Sequence, residues 1–170
     1  MSLTVRELEI TEFDLVLDYF HDATPEFLES MGVDPTRIPD RQSWRERFRS
    51  DSALPVNQRS AIVLLWLMDD RPVGFSSCDK IKVGERANMH LHILSADARN
   101  KGIGTEFVRK SVAFYFEQLQ LKSLFCEPYA FNIAPNRTLQ KAGFKYLKTH
   151  MTVPGSFSYH QAVNRWAISR

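Results

Sequence analysis

The sequence predicts an α+β fold in which a mixed, mostly antiparallel sheet is flanked by helices. Three observations carry that expectation. Apolar runs at residues 61–68, 73–83 and 87–94 are separated by short turn-forming stretches and read as an antiparallel meander. From Ile103 onward, Phe107, Val108, Val112, Tyr115, Phe116 and Leu119 recur at helical spacing and make one apolar stripe. Residues 123–127 form a further strand after that helix, and a helical crossover makes it parallel to residues 87–94.

The elements follow in order. A first strand is expected over residues 4–10. Thr11-Glu12-Phe13-Asp14 then reads as a capping box with Asp in the acidic place, opening a helix that buries Phe13, Leu17 and Phe20. Thr24 and Pro25 suit the N-cap and first position of a second helix that stops before Gly32, with Phe27, Leu28 and Met31 as core. Prolines and aspartates between residues 32 and 40 describe a loop. A third helix is expected over residues 41–49 with Trp44 and Phe48 inward. Its Arg41, Arg45 and Arg49 recur every four residues and read as a solvated face rather than an anion site.

Residues 61–68 do not alternate, so that strand is expected to be buried on both faces. Asp69-Asp70-Arg71-Pro72 and Gly84-Glu85-Arg86 supply turns. In the third strand of the meander, Met89, Leu91 and Ile93 fall on one face and Asn88, His90 and His92 on the other. Later, a helix over residues 132–142 is closed by Gly143, and Phe144 and Tyr146 re-enter a strand.

Composition bounds the function. At 170 residues, 44% hydrophobic and 25% charged, the chain suits a single domain over residues 1–170. A net charge of +2 is too mild to argue for nucleic acid or a membrane surface as partner. The longest apolar run is far too short to span a bilayer, and the N-terminus lacks a signal-peptide layout. Cys78 and Cys126 stand far apart without a metal-binding spacing, which reads as a reduced, cytoplasmic protein with no structural metal.

Between the third meander strand and the long helix lies Arg99-Asn100-Lys101-Gly102-Ile103-Gly104. Two glycines beside a helix start forfeit packing and cost backbone entropy, so the composition needs a reason. One reason is close approach of a phosphate to the unpaired N–H groups of a helix N-terminus, with Arg99 and Lys101 adding charge. The other is a tight strand-to-helix turn with two solvated basic residues. A P-loop is excluded because Gly104 is followed by Thr105-Glu106, not Lys-Ser/Thr. The dinucleotide fingerprint fails because Phe107 stands where its third glycine belongs.

The surviving pattern, Arg-x-x-Gly-x-Gly after a strand and before a long helix, resembles the acyl-CoA-binding motif of the GNAT N-acetyltransferase superfamily. A second match lies downstream: Asn132 stands eleven residues before Gly143, and Leu139, Lys141, Gly143 and Phe144 fit the family pattern. The resemblance covers residues 87–147. It implies the GNAT fold, acetyl-CoA as cosubstrate without a metal, and a CoA site built from Ile93, Leu94, Arg99, Asn100, Lys101, Gly102, Ile103, Gly104, Thr105 and Asn132. It also implies an amine-bearing acceptor, small molecule or peptide, and admits a homodimer. Two residues depart from the pattern. Leu139 occupies the place of a tyrosine that in many members protonates the departing thiolate, and Pro135 replaces a small polar residue. His90 matches a histidine of the siderophore-type branch, while the Leu139 pattern is similar to the ribosomal-protein and polyamine acetyltransferases.

Amine acylation needs a base for the ammonium proton, donors for the carbonyl oxygen and an exit for the thiolate. His90 and His92 share a strand face, and an imidazole with a pKa near 6.5 suits a base at neutral pH. Glu127, at the end of the parallel strand, is the alternative base or a solvated strand-end carboxylate. Backbone N–H groups at Ile93 and Leu94 would serve the oxyanion. The expected activity is therefore acetyl transfer from acetyl-CoA to a primary amine, of a small molecule or a protein N-terminus, by direct attack in a ternary complex. The competing expectation is a CoA-binding sensor without turnover, and a nucleotide-binding switch is weaker for want of a P-loop lysine. The acceptor pocket is expected from residues 20–50 and 150–162, where no motif is visible.

Overall fold

In a computed structural model that describes residues 1–95, 98–99 and 102–170, the chain forms a mixed sheet with helices on both faces. The strands are β1 (Leu3–Glu7), β2 (Ile62–Met68), β3 (Arg71–Lys82), β4 (Arg86–Ile93), β5 (Ser123–Cys126), β6 (Lys145–Thr152) and β7 (Gln161–Ser169). Among the described residues the sheet order is β1-β2-β3-β4-β5-β7-β6, antiparallel throughout except for the β4–β5 pair. The helices are α1 (Asp14–His21), α2 (Pro25–Ser30), α3 (Arg41–Ser52), α4 (Ile103–Leu119) and α5 (Ile133–Ala142). None is long and apolar enough to cross a membrane among the described residues.

Burial follows the patterns in the chain. The α4 stripe covers one sheet face, where Trp66 stacks on Phe107 at 5.2 Å and Leu64, Met89 and Leu124 are fully buried. The Trp66 indole donates to Ser111 Oγ at 2.9 Å, and Ser76 links Ser111 (3.1 Å) to the Tyr115 hydroxyl (2.9 Å), so the polar groups of this core are paired. On the opposite face, Phe13, Leu17 and Phe20 of the α1 region pack on Leu65 and Phe75. Trp44 and Phe48 of α3 close that layer from outside, Phe48 stacking on Phe13 at 4.3 Å.

Four expectations need correction. Strand β1 ends at Glu7, not residue 10, and Ile10–Glu12 is a 3-10 turn. The Glu12 carboxylate accepts the Glu9 N–H at 3.0 Å and holds Arg6 at 2.6 Å, so the capping box is Glu9 to Glu12 rather than Thr11 to Asp14. Helix α3 runs on to Ser52, since Ser50, Asp51 and Ser52 include no breaker. Its arginines are also not simply solvated. Arg41 pairs with Asp18 (2.6 Å) and Asp22 (3.1 Å), and Arg45 with Asp14, linking α3 to α1 through exposed pairs that water and salt screen.

Two features position the site. Strand β4 pairs with β5 only from Arg86 to Met89, against Ser123 to Cys126. Beyond Met89, β4 continues to Ile93 while β5 has ended, so the two strands part and leave a gap. The second feature is a staple between distant loops. Asp34 N–H donates to Phe157 O at 2.7 Å, Tyr159 N–H to Gly32 O at 3.1 Å, and the buried Gln161 amide to the same Gly32 O at 2.7 Å. Gly32 sits at φ 74 with the Gln161 amide where a Cβ would be, so both its conformation and its space demand glycine.

Candidate active site

The parting of β4 from β5 exposes one edge of β4. Leu94 N–H donates to Val73 O at 2.9 Å, so in the alternating antiparallel ladder the amides of Leu91 and Ile93 point the other way, into the gap. Of the two expected oxyanion donors, Ile93 therefore remains and the Leu94 amide is committed to the sheet. Arg99 reaches back to this edge, its guanidinium donating to Ile93 O at 3.3 Å and lying 4.8 Å from the centre of the Phe27 ring.

Helix α4 begins beside the gap. Its N-cap Gly102 has φ 72, a left-handed conformation that disfavours side chains, and as a glycine it offers no side chain to cap the helix start. Among the described residues, a Cβ at Gly102 would meet nothing within 4 Å, and one at Gly104 only the Thr138 side chain at 3.7 Å. The glycines thus leave open space over unpaired helix N–H groups. Ile103 is buried core and Thr105 is half-buried in the first turn of α4. Asn100 and Lys101 lie outside the described residues. Asn132 is the N-cap of α5 but its side chain makes no capping bond. That cap is held instead by Asn136, whose amide donates to Asn132 O (2.7 Å) and Tyr129 O (3.2 Å) and accepts from Trp166 Nε1 (2.8 Å). Pro135 fits the first turn of α5, where its missing N–H has no intrahelical partner to lose.

A cavity of about 380 Å³ opens on the α1–α3 face of the sheet beside this gap. Val63, Ser77 and His90 lie in one register row of its floor. Its walls come from α1, α3 and the stapled 154–158 segment, so both stretches expected to build an acceptor pocket contribute. Glu127, Tyr129, Asn132 and Cys126 line the end nearest β5.

The three expected bases differ sharply in their surroundings. His90 Nε2 is 3.1 Å from Asp79 Oδ1, each side chain about a third exposed. His92 is enclosed by Phe75 (4.8 Å), Tyr19 (5.1 Å) and Phe20 (5.3 Å), with Nδ1 3.2 Å from the Tyr19 hydroxyl. Burial, reinforced by the charge of His90, holds its pKa down to about 3, so His92 stays neutral and takes up protons poorly. Glu127 is not a solvated strand end. Its side chain is 7% exposed and lies 2.8 Å from His150 Nε2 and 3.2 Å from the Arg165 guanidinium. Asp79, His150 and Arg165 carried no motif. Only Asp79 was within reach of sequence reasoning, since β3 pairs in register with β4 and sets it beside Asn88 and His90.

Both cysteines are buried and unpaired, and burial pushes their thiols up, leaving Cys126 protonated and weakly nucleophilic. Leu139, at the place of the family tyrosine, is fully buried core. Among the described residues no group of three metal-ligating side chains comes together.

Solved structures similar in fold span nearly the whole chain. An aminoglycoside acetyltransferase, AAC(6')-Ib, in complex with coenzyme A and kanamycin superposes with a TM-score of 0.74 at 15% identity, covering 99% of this chain and 95% of that one. Spermidine N-acetyltransferase from Vibrio cholerae, in complex with CoA and spermine, gives 0.78 at 14% identity, covering 98% and 95%. The ribosomal-protein acetyltransferase RimL in complex with coenzyme A gives 0.76 at 16% identity, covering 99% and 94%. At these identities the likeness is one of fold. No curated protein matches the chain by sequence. Residues 2–145, however, match the acetyltransferase (GNAT) domain family, and the chain belongs to that family.

Proposed function

We propose that the protein transfers an acetyl group from acetyl-CoA to a primary amine, of a small molecule or a protein N-terminus, by direct attack in a ternary complex. The observation that carries this reading is the His90–Asp79 pair, lining a cavity beside the place where β4 leaves β5. The gap fits a thioester, because the Ile93 N–H points into it and the glycine-rich start of α4 stands next to it. Gly102, Ile103, Gly104 and Thr105, with Asn132 at the start of α5 and with Arg99, Asn100 and Lys101 just before them in the sequence, would hold the pyrophosphate and pantetheine parts. Acetyl-CoA supplies an activated carbonyl carbon and a thiol leaving group.

The residues divide the remaining work. With Nε2–H donating to Asp79, His90 presents Nδ1 as the proton acceptor, and the Asp79 carboxylate stabilises the imidazolium that forms. The new N–C bond forms as the C–S bond breaks, the amine proton passing to His90 and the carbonyl oxygen accepting the Ile93 N–H. Leu139 offers no acid, but a thiolate of pKa near 8–9 leaves readily and is protonated from water. Glu127, held by Arg165 and His150, fixes the end of β5 rather than moving a proton. The free, buried cysteines fit a reducing compartment, and the cytoplasm is the proposed location.

Calorimetric titration with acetyl-CoA, paired with a thiol-release assay over an amine and peptide N-terminus panel, tests the reading. Binding with amine-dependent CoA release is expected. Binding without turnover for any amine would make the protein a CoA sensor, and absence of binding would end both readings.

A further inference from the structure

The cavity beside His90 has a composition that selects among amines, and this inference rests on the acyltransfer reading above. Its walls are aromatic. Phe20, Trp44 and Phe157 touch one another at 5.4, 4.9 and 6.0 Å between ring centres, with tilted or edge-on geometry. Phe20 continues this surface to His92, which follows His90 on the same face of β4. On the floor, Val63 and Phe75 leave Ser77 as the polar interruption next to His90. From β1 to β4 the floor crosses three strand spacings, about 14 Å, long enough for a ring-bearing body behind the amine.

The charges of the cavity point the same way. Four carboxylates line it, and each is already spent. Glu7 pairs with Arg59 at 3.1 Å. Asp51 accepts from Ser60 N–H and Oγ at 2.8 Å and from Ala61 N–H at 3.1 Å. Asp79 holds His90, and Glu127 holds Arg165 and His150. Two guanidiniums, Arg47 and Arg59, share the lining. An acceptor with several ammonium groups needs several carboxylates that its own charges can engage, and otherwise loses hydration without repayment. A single ammonium directed at the His90–Asp79 pair, with a flat apolar body against Phe20, Trp44 and Phe157, meets every surface it touches with a match, the ring faces included.

We propose that the acceptor is a primary amine carried on an aromatic or similarly flat apolar body, and that polycationic amines are poor acceptors. The test compares kcat/KM for 2-phenylethylamine and tryptamine with those for spermidine and kanamycin at saturating acetyl-CoA. At least a tenfold advantage for the aromatic amines is expected. In Trp44→Ala, KM for tryptamine should rise about tenfold while acetyl-CoA affinity holds; Phe157→Ala, on a loop, gives the same readout if the helix variant does not fold. Equal or better use of spermidine or kanamycin overturns this inference and leaves acyl transfer standing. Turnover of none of the four by a protein that binds acetyl-CoA overturns it as well, whereas failure to bind acetyl-CoA overturns both.

Discussion

Acidification should cost this protein stability through His92, by an amount that follows from where the ring sits. The imidazole is stacked on Phe75 and edged by Tyr19 and Phe20, and its folded pKa is about 3 against 6.5 for an ordinary histidine. Between those values the unfolded chain binds a proton at this position and the folded chain does not. The stability contribution is therefore complete above pH 6.5 and is lost as the pH falls toward 3. The slope approaches about 1.36 kcal/mol per pH unit, so at about pH 4.5, two units below the unfolded value, the loss is about 2.7 kcal/mol. His92→Phe removes the titration and keeps a ring on Phe75, and the Tyr19 hydroxyl retains Met31 Sδ at 3.1 Å. Urea unfolding at pH 7.5 and 4.5 gives the assay. The drop between the two should be about 2.7 kcal/mol larger in the wild type than in the variant, all other carboxylates cancelling. Equal drops would mean that His92 is hydrated or protonated in the folded state, and the argument that sets it aside as a base would go with it.

The remaining expectations concern the chemistry. His90→Ala should lower turnover about a hundredfold while acetyl-CoA affinity barely changes; near-normal turnover would return His90 to a structural role. Gly104→Val should fold, since among the described residues a Cβ there meets only the Thr138 side chain at 3.7 Å, yet bind acetyl-CoA more than tenfold weaker, about 1.4 kcal/mol; unchanged affinity by calorimetry removes the helix-start site. Cys126→Ala should keep most activity, and initial-rate lines should intersect; parallel lines with a trapped acyl-enzyme would show a covalent route.

The elements were legible where periodicity and turn chemistry agreed. Residues 61–68, the stripe from Phe107 to Leu119 and the Gly143 stop each announced themselves through spacing. So did the parallel return of β5, because a helical crossover admits no other direction. The misplacement of the first capping box has a plain cause. Thr11 and Asp14 match the local pattern, but Arg6, on the preceding strand, recruits Glu12 and pulls the helical turn forward. The same kind of distant partner decided the site. His90 and His92 look alike as residues, and their difference comes from Asp79 on β3 and from Tyr19 and Phe20 on α1. Glu127 reads as an exposed strand end until His150 and Arg165, from the strands β6 and β7, close over it. The aromatic wall was invisible for the same reason, since Trp44 and Phe157 are brought together only by the staple at Gly32.

The seam between β4 and β5 also divides the backbone ladder of the sheet. The β4–β5 ladder pairs Arg86–Met89 with Ser123–Cys126, and Lys122 N–H donates to Glu85 O at 2.9 Å just before it. Strands β1 to β4 carry His90, whereas Asn132 starts α5 on the other side of the seam. Helix α4 is tied to α5 by Arg109 donating to Lys141 O at 2.9 Å. A molecule seated in the cavity would meet residues on both sides of the seam, beside one seated in the gap. Reciprocity then requires that whatever acetyl-CoA does to the affinity for the amine, the amine does by the same factor to the affinity for acetyl-CoA.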